Sequence, residues 1–139
     1  MLTTAILAAV TFLAVGSFHF AVLSRVASRL NTSDLSAGWH HFLLLGTIGL
    51  LHVFEAAVYS VAFRLGQSWG LGGFKTEGPL NFMDVYYFSI VNYTTLGLGD
   101  IYPSGHLRFL AGIESLEGFL LLSCSASYLF AFAKQRIKD

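Results

Sequence analysis

The sequence predicts an all-α membrane protein with three transmembrane helices. Between the second and third lies a shorter segment that enters the bilayer and turns back. Three observations carry this. The chain of 139 residues is 55% hydrophobic and only 12% charged, against about 25% charged in a soluble domain, and its mean hydropathy is +0.65. Its apolar residues gather in three runs long enough to cross hydrocarbon. The interval between the last two runs breaks into a glycine-rich loop and a short, partly polar stretch that is too brief for a crossing. The formal net charge is zero, which removes the electrostatic basis for nucleic-acid binding. The single cysteine, Cys124, sits in an apolar run, so neither a disulfide framework nor a CxxC site exists within the chain.

The first run, residues 2–24, contains no acid and no base. About 20 helical residues span hydrocarbon, so it is read as a retained transmembrane helix closed by Arg25 and Arg29. A signal peptide would carry a basic start and a shorter apolar part. The stretch NTSDLSAG, residues 31–38, is rich in turn and capping residues. The second span is expected at 39–65, with Trp39 and His40 at an interface. GQSWGLGGFKTEGPL then places five glycines and a proline in fifteen residues, which marks a loop. Residues 81–94 fit a short re-entrant helix, with Asp84 near its positive N-terminal end. The third span is expected at 106–133, ended by Lys134, Arg136 and Lys138. The ends after spans one and three carry those three bases with Arg25 and Arg29. The opposite side carries Arg64, Lys75 and Arg108. By the positive-inside rule this places the N-terminus outside and the C-terminus inside.

Between the re-entrant segment and the third span stands TTLGLGD, residues 94–100. Non-helical backbone survives at membrane depth only when buried in protein or lining a watery path. Glycine reaches backbone conformations closed to other residues, and alternating such residues turns successive carbonyl oxygens to one side. A column of carbonyls replaces the water shell of a cation, and the negative end of the preceding helix favours the same charge. A plain turn between two helices is the simpler alternative. A phosphate-cradling GxGxxG loop is not, because position 102 is tyrosine and no strand precedes it.

Thr95, Leu96, Gly97, Leu98 and Gly99, followed by Asp100 and preceded by Thr94, resemble the filter of the potassium-channel pore-loop family, which reads TVGYG before an aspartate. The resemblance covers about residues 80–133 and is greatest to small bacterial two-helix pore channels. Tyr87 and Phe88 fall where that family has aromatics packed around the filter, and Tyr102–Pro103 and Gly118 follow in its style. The resemblance implies a re-entrant pore helix (81–94), a selectivity-filter loop (95–100), an outer helix (39–65), an inner helix (106–133) and a tetrameric pore. Residues 39–139 then form a pore domain, and residues 1–38 an additional N-terminal helix and linker. It implies passive K⁺ conduction, Thr95 to Gly99 lining the ion path, Thr94 and Asp100 supporting it, Gly118 as a hinge, and Phe119, Leu122 and Ala126 facing the cavity. It implies no enzyme, no cofactor and no metal beyond the permeating ion. The implied partners are copies of the chain and membrane lipid in a bacterial plasma membrane; no regulatory partner is indicated. Leu98 stands where the family usually has tyrosine, although leucine occurs there in some two-pore-domain potassium channels. Val91 stands where some members have a glutamate. A non-selective or Na⁺-passing channel and a non-conducting membrane scaffold remain as alternatives. No run of spaced arginines marks a voltage sensor, and the six residues after the last span are expected to leave no room for a ligand-sensing domain.

The other polar residues in apolar company are His19, the pair His52 and Glu55, and the pair Glu114 and Glu117. Spacing at i, i+3 puts each pair on one helix face, as metal ligands would be. The reading adopted is hydrogen bonding against neighbouring helices. Glu114, about 10 Å below the start of its span by helical rise, is expected to support the filter by bonding Asn92, Tyr93 or the filter backbone. His19 is read as satisfied or interfacial, and His40, His41 and His106 as interfacial. Gly46 and Gly49 are expected to permit close helix packing. Ser123, Ser125 and Ser127 either line water or bond back to their own helix.

Overall fold

The structure, a computed structural model, describes residues 1–33 and 36–136. Its elements are α1 (Leu2–Asn31), α2 (Ala37–Ser68), β1 (Phe74–Lys75), α3 (Phe82–Tyr93), β2 (Tyr102–Pro103) and α4 (Leu107–Arg136). Helices α1, α2 and α4 are long and apolar enough to cross a membrane, over Leu2–Leu30, Gly38–Ser68 and Leu107–Lys134. The protein is an all-α membrane protein.

The first helix runs seven residues beyond its expected end. Arg25 and Arg29 do not terminate it; they occupy its last turns, where cations complement the negative end of the helix dipole. It stops where Thr32 and Ser33 return their hydroxyls to the carbonyls of Arg29 and Leu30, at 3.1 and 2.9 Å. Asp34 and Leu35 of the expected turn lie outside the described residues. Helix α2 likewise continues through Ser68. Gly66 stays helical because α4 begins against it: a Cβ there would come within 2.6 Å of Leu107 Cδ2. The chain then turns at Gly70, whose φ is +69°.

The loop before α3 is not wholly irregular, as the sequence had suggested. Two-residue strands β1 and β2 pair antiparallel, Phe74 opposite Pro103 and Lys75 opposite Tyr102. Ser104 N and His106 N add bonds to the carbonyls of Gly73 and Leu71, at 2.7 and 2.8 Å. The loop entering α3 is therefore tied to the loop leaving TTLGLGD.

Helix α3 has 12 residues, about 18 Å at 1.5 Å per residue, too short for hydrocarbon about 30 Å thick. A capping box starts it. Asn81 Oδ1 accepts from Asp84 N at 3.1 Å, and Asp84 Oδ2 accepts from Asn81 N at 2.7 Å. Asp84 thus acts on the helix start through specific bonds as well as through the dipole.

One apolar core takes residues from all four helices: Ala8 and Val15 of α1, Tyr59 and Phe63 of α2, Val85 of α3 and Leu110 of α4. A second cluster, including Leu23, Leu44 and Ile48, closes the end away from α3. At most 33% of the most apolar stretch of any span is buried, so most of each span faces lipid or another molecule. Gly46 and Gly49 belong to this outward surface: a Cβ on either would meet nothing within 4 Å. Any close helix packing that they permit is against another molecule, not against the described helices of this chain.

Between the two apolar clusters runs a layer of buried polar groups. Tyr59, fully buried, donates to Glu117 Oε2 at 2.5 Å. Gly16 of α1 makes room for this carboxylate, since a Cβ there would lie 3.2 Å from Glu117 Oε1. Tyr59→Phe removes the donor and leaves the acceptor buried. It should lower folding free energy by about 1–2 kcal/mol, read as a lower thermal midpoint in detergent micelles. Tyr128→Phe, at a residue 37% exposed, should stay within about 0.5 kcal/mol of the parent. Equal midpoints for the two variants would show that the bond contributes nothing.

Candidate functional site

The C-terminal end of α3 delivers the chain into TTLGLGD through a set of backbone bonds. Thr94 N and Oγ1 both reach the Ile90 carbonyl, at 3.1 and 2.9 Å. Thr95 N bonds the Asn92 carbonyl and Leu96 N the Val91 carbonyl, each at 3.0 Å. The donors of the first residues are thus satisfied by the last turn of the helix. Their acceptors are treated differently. Among the described residues, no hydrogen bond ends on the carbonyl of Thr95, Leu96, Gly97, Leu98 or Gly99.

The backbone alternates in hand along this stretch. Thr95, Gly97 and Gly99 have φ of +60°, +60° and +79°, and Leu96 and Leu98 between them do not enter that region. Thr95 is the only non-glycine residue with positive φ among those described. For a β-branched side chain this conformation is strained, by about 1–2 kcal/mol. Alternating hand reverses the peptide plane at each step, the geometry in which successive oxygens fall on one side. From Thr94 to Leu98 every residue is exposed in the single chain.

The outer end is organised around Asp100. Its carboxylate accepts from Ile101 N at 3.1 Å, and it hydrogen-bonds the Tyr87 hydroxyl and thereby pushes the Tyr87 phenol above its ordinary pKa. Tyr102 approaches the loop from β2, and a Cβ on Gly99 would lie 2.7 Å from its hydroxyl. A cavity of about 720 Å³ opens here, lined among others by Lys75, Asp84, Tyr87, Gly99, Asp100 and Tyr102. Phe88 is elsewhere. It is 7% exposed and packs edge-on against Phe63 and Phe74, with ring centroids 5.3 and 5.0 Å away. Within the chain it holds α3 to α2 and β1. One helical step from Tyr87 turns a side chain by about 100°, enough to separate the two aromatics.

Behind the loop, Glu114 of α4 is completely buried. It hydrogen-bonds Ser89 and accepts from Asn92 Nδ2 at 2.6 Å. Asn92 also donates to the Ala111 carbonyl at 2.9 Å and accepts from Ser115 at 2.9 Å. Of the partners anticipated for Glu114, Asn92 is present; Tyr93 and the filter backbone are not among its bonds. Gly118 lies within the unbroken helix α4. A Cβ there would run into the Tyr93 carbonyl, so in this conformation the glycine serves close approach of α4 to the end of α3. Phe119 (60% exposed) and Ala126 lie on the outward side of α4, and Leu122 is half-buried. Ser123 and Ser127 bond back to Phe119 and Ser123 of their own helix, at 2.7 and 2.9 Å.

A third group was only half visible in the sequence. His52 and Glu55 were paired there by spacing. The structure adds His19 from α1 and Tyr93 from the end of α3. Glu55, fully buried, accepts from His19 at 2.8 Å, His52 at 2.9 Å and Tyr93 at 2.6 Å. The one sequence signal for His19 was an ionisable side chain alone in an apolar span. His40 is likewise buried, its ring bonded to the carbonyls of Leu30 and Ser36 at 2.8 and 2.9 Å. His106 is exposed.

With this geometry in view, the chain was compared with known proteins. A family model described as ion channel matches residues 46–135. Among curated proteins, potassium channel subfamily K member 12 of Rattus norvegicus is 29% identical over 103 residues, covering 70% of this chain and 21% of its own. The Homo sapiens protein of the same name is 28% identical over the same length, with the same coverage. The chain thus spans about a fifth of the length of these relatives. No solved structure matches. All of α1 lies before the residues that the family model matches.

Glu114→Ala should leave Ser89 and Asn92 short of a buried partner and cost about 1–3 kcal/mol. Glu114→Gln, which keeps the size and one acceptor, should cost less. Thermal midpoints in micelles give the comparison, and equal values for the two variants would show that the carboxyl oxygens do not hold α4 to α3.

Proposed function

The chain belongs to the ion-channel family, of the potassium-channel pore-loop type, and on that premise we propose that it is a passive, K⁺-selective channel. The observation that carries this reading is the alternating hand of Thr95, Gly97 and Gly99, with five successive carbonyls that accept no hydrogen bond among the described residues. Such carbonyls substitute for the hydration shell of a dehydrated cation. Thr95 contributes hydroxyl and carbonyl at the inner end, Leu96, Gly97 and Leu98 contribute carbonyls, and Gly99 allows the outer turn. Asp100, bonded at Tyr87 and Ile101, fixes the mouth and does not touch the ion. Thr94 anchors the loop to α3, Glu114 braces α3 from behind, and Gly118 lets α4 bend on opening. The function is transport, without enzymatic chemistry, and the only bound species the mechanism needs is the permeating K⁺.

One chain supplies one wall. Leu96 and Leu98 are 64% and 57% exposed, beside a polar backbone that lipid cannot satisfy. A closed ring of copies covers both, and four copies match the pore type to which the chain belongs; the assembly is a homotetramer. The potassium channel named in the comparisons supports K⁺ as the ion. Leu98 supports a second reading, a channel that also passes Na⁺. A leucine there has no hydroxyl to tie the filter to its surroundings, and a slack filter discriminates less between cations. The charge bias favours an outside N-terminus and an inside C-terminus, and the resemblance to small bacterial pore channels points to a bacterial plasma membrane as the home.

In liposomes or planar bilayers under opposed K⁺ and Na⁺ gradients, current should reverse at the K⁺ equilibrium value. Reversal near zero would select the second reading, and neither current nor flux would leave a membrane scaffold. For orientation, a cysteine at Ser68 should react with an impermeant thiol reagent added to intact cells, and one at Lys134 should not. The reverse pattern would invert the channel in the membrane.

A further inference from the structure

The cluster around Glu55 is built as a ligand set. His52 and Glu55 lie on one face of α2, and His19 arrives from α1. His19 Nδ1, His52 Nδ1 and a Glu55 oxygen all fall within 4.8 Å of one another. The Tyr93 hydroxyl closes the group, 2.6 Å from Glu55 Oε2 and 3.1 Å from His52 Nδ1. His19 and Glu55 have no exposed side-chain surface, and His52 has 11%. We propose that His19, His52 and Glu55, with Tyr93 at the fourth position, bind a divalent transition ion of the Zn²⁺ class.

Four features support that class. Two imidazoles and one carboxylate suit Zn²⁺, Co²⁺ or Ni²⁺, whereas Mg²⁺, Ca²⁺ and K⁺ require sets of oxygens. With bonds of about 2.0–2.1 Å, the ligand atoms of a tetrahedral site stand about 3.3 Å apart. The hydrogen-bonded separations here are 2.6–3.1 Å, and the three residues' ligand atoms lie within 4.8 Å of one another, so seating an ion takes adjustments of up to about 1.5 Å from the tetrahedral spacing. The outer shell is present at His19, while His52 Nε2 is buried with no partner among the described residues. A metal-bound imidazole turns its second nitrogen to a polar partner, and His19 Nε2 meets Ser125 Oγ at 3.2 Å. Finally, Glu55 is a fully buried carboxylate, and a dication offsets the large desolvation cost of such an anion.

A largely apolar cavity of about 250 Å³, lined by Ala14, Val15, Phe18, Phe54, Glu55 and Val58, borders the cluster between α1 and α2. Occupancy would pin α1 and α2 to Tyr93, two residues before Thr95. That effect on conduction rests on the channel reading above, but binding itself does not.

The competing account is a purely hydrogen-bonded hub, with Glu55 accepting from three donors. Tag-free full-length protein in micelles, stripped with chelator and reloaded, separates the two. Zn²⁺ or Co²⁺ should remain after desalting at one ion per chain. Bound Co²⁺ should show the strong visible absorption of a tetrahedral site, and Zn²⁺, but not Mg²⁺, should raise the thermal midpoint. His19→Gln and His52→Gln keep a donor for Glu55 while removing an imidazole. Each should abolish stoichiometric retention and the Zn²⁺-dependent midpoint shift, with the metal-free protein still folded. Ser125→Ala should weaken affinity about tenfold, and His106→Ala should change nothing. Wild-type protein that retains no ion, or retention unchanged in both glutamine variants, would overturn the site in favour of the hub. Metal content is read without any current, so a failure of the channel reading leaves this test intact.

Discussion

In hydrocarbon, a backbone carbonyl without a donor costs several kcal/mol, and this chain places five in a row from Thr95 to Gly99. Everything around that segment follows from the need to hold it in one conformation and to keep lipid from it. Its amide donors are the easier half, because the last turn of α3 takes up those of Thr95 and Leu96. Its oxygens have no protein partner among the described residues. They are tolerable only along a path that water or ions can reach. The strain at Thr95 has the same origin: a left-handed φ on a β-branched residue persists only where its surroundings over-determine it.

The surroundings here are two clamps at different depths. At the outer end, β1–β2 pairing and the bonds of Ser104 and His106 join the segment before α3 to the segment after the filter. Both flanks of the loop therefore move together. At the inner end, the absence of a side chain on Gly118 lets the Tyr93 carbonyl sit directly on α4. Glu114, Asn92 and Ser115 form a bonded seam one turn higher on the same helix. Short α3 is thus fixed by its cap at one end and by α4 at the other, not by its own length.

The sequence made the irregular stretch at Thr95–Gly99 and the helix count legible because both are local signals. Three apolar runs and alternating glycines need no tertiary knowledge. Helix ends were less legible. Arg25, Arg29, Gly66 and Ser68 looked like breaks, yet terminal cations suit a helix C-terminus, and Gly66 is demanded by Leu107 across the bundle. The strands at Phe74–Lys75 and Tyr102–Pro103 were invisible, since two residues carry no period. The aromatics Tyr87 and Phe88 look equivalent in sequence, but adjacent positions on a helix face different ways, and only Tyr87 reaches Asp100. Glu114 was placed by its depth in α4, whereas the partnership of Glu55 with His19 joins residues 36 apart, and no spacing rule reaches that far.

That long-range partnership bears on why α1 stays where it is. Between helices in lipid the hydrophobic effect offers no net drive, so association depends on packing and on interhelical hydrogen bonds. Helix α1 buries small and apolar residues such as Ala8 and Val15, surfaces that lipid tails would cover nearly as well. Its specific ties are polar: His19 to Glu55 of α2, His19 to Ser125 of α4, and Gly16 against Glu117. A lone His19 exposed to hydrocarbon would be costly, so separating α1 from the bundle strands it together with Glu55. The same two residues that look anomalous in an apolar chain therefore set the register of α1 against α2 and α4, and through Tyr93 they carry that register to the residue that ends α3, just before the filter.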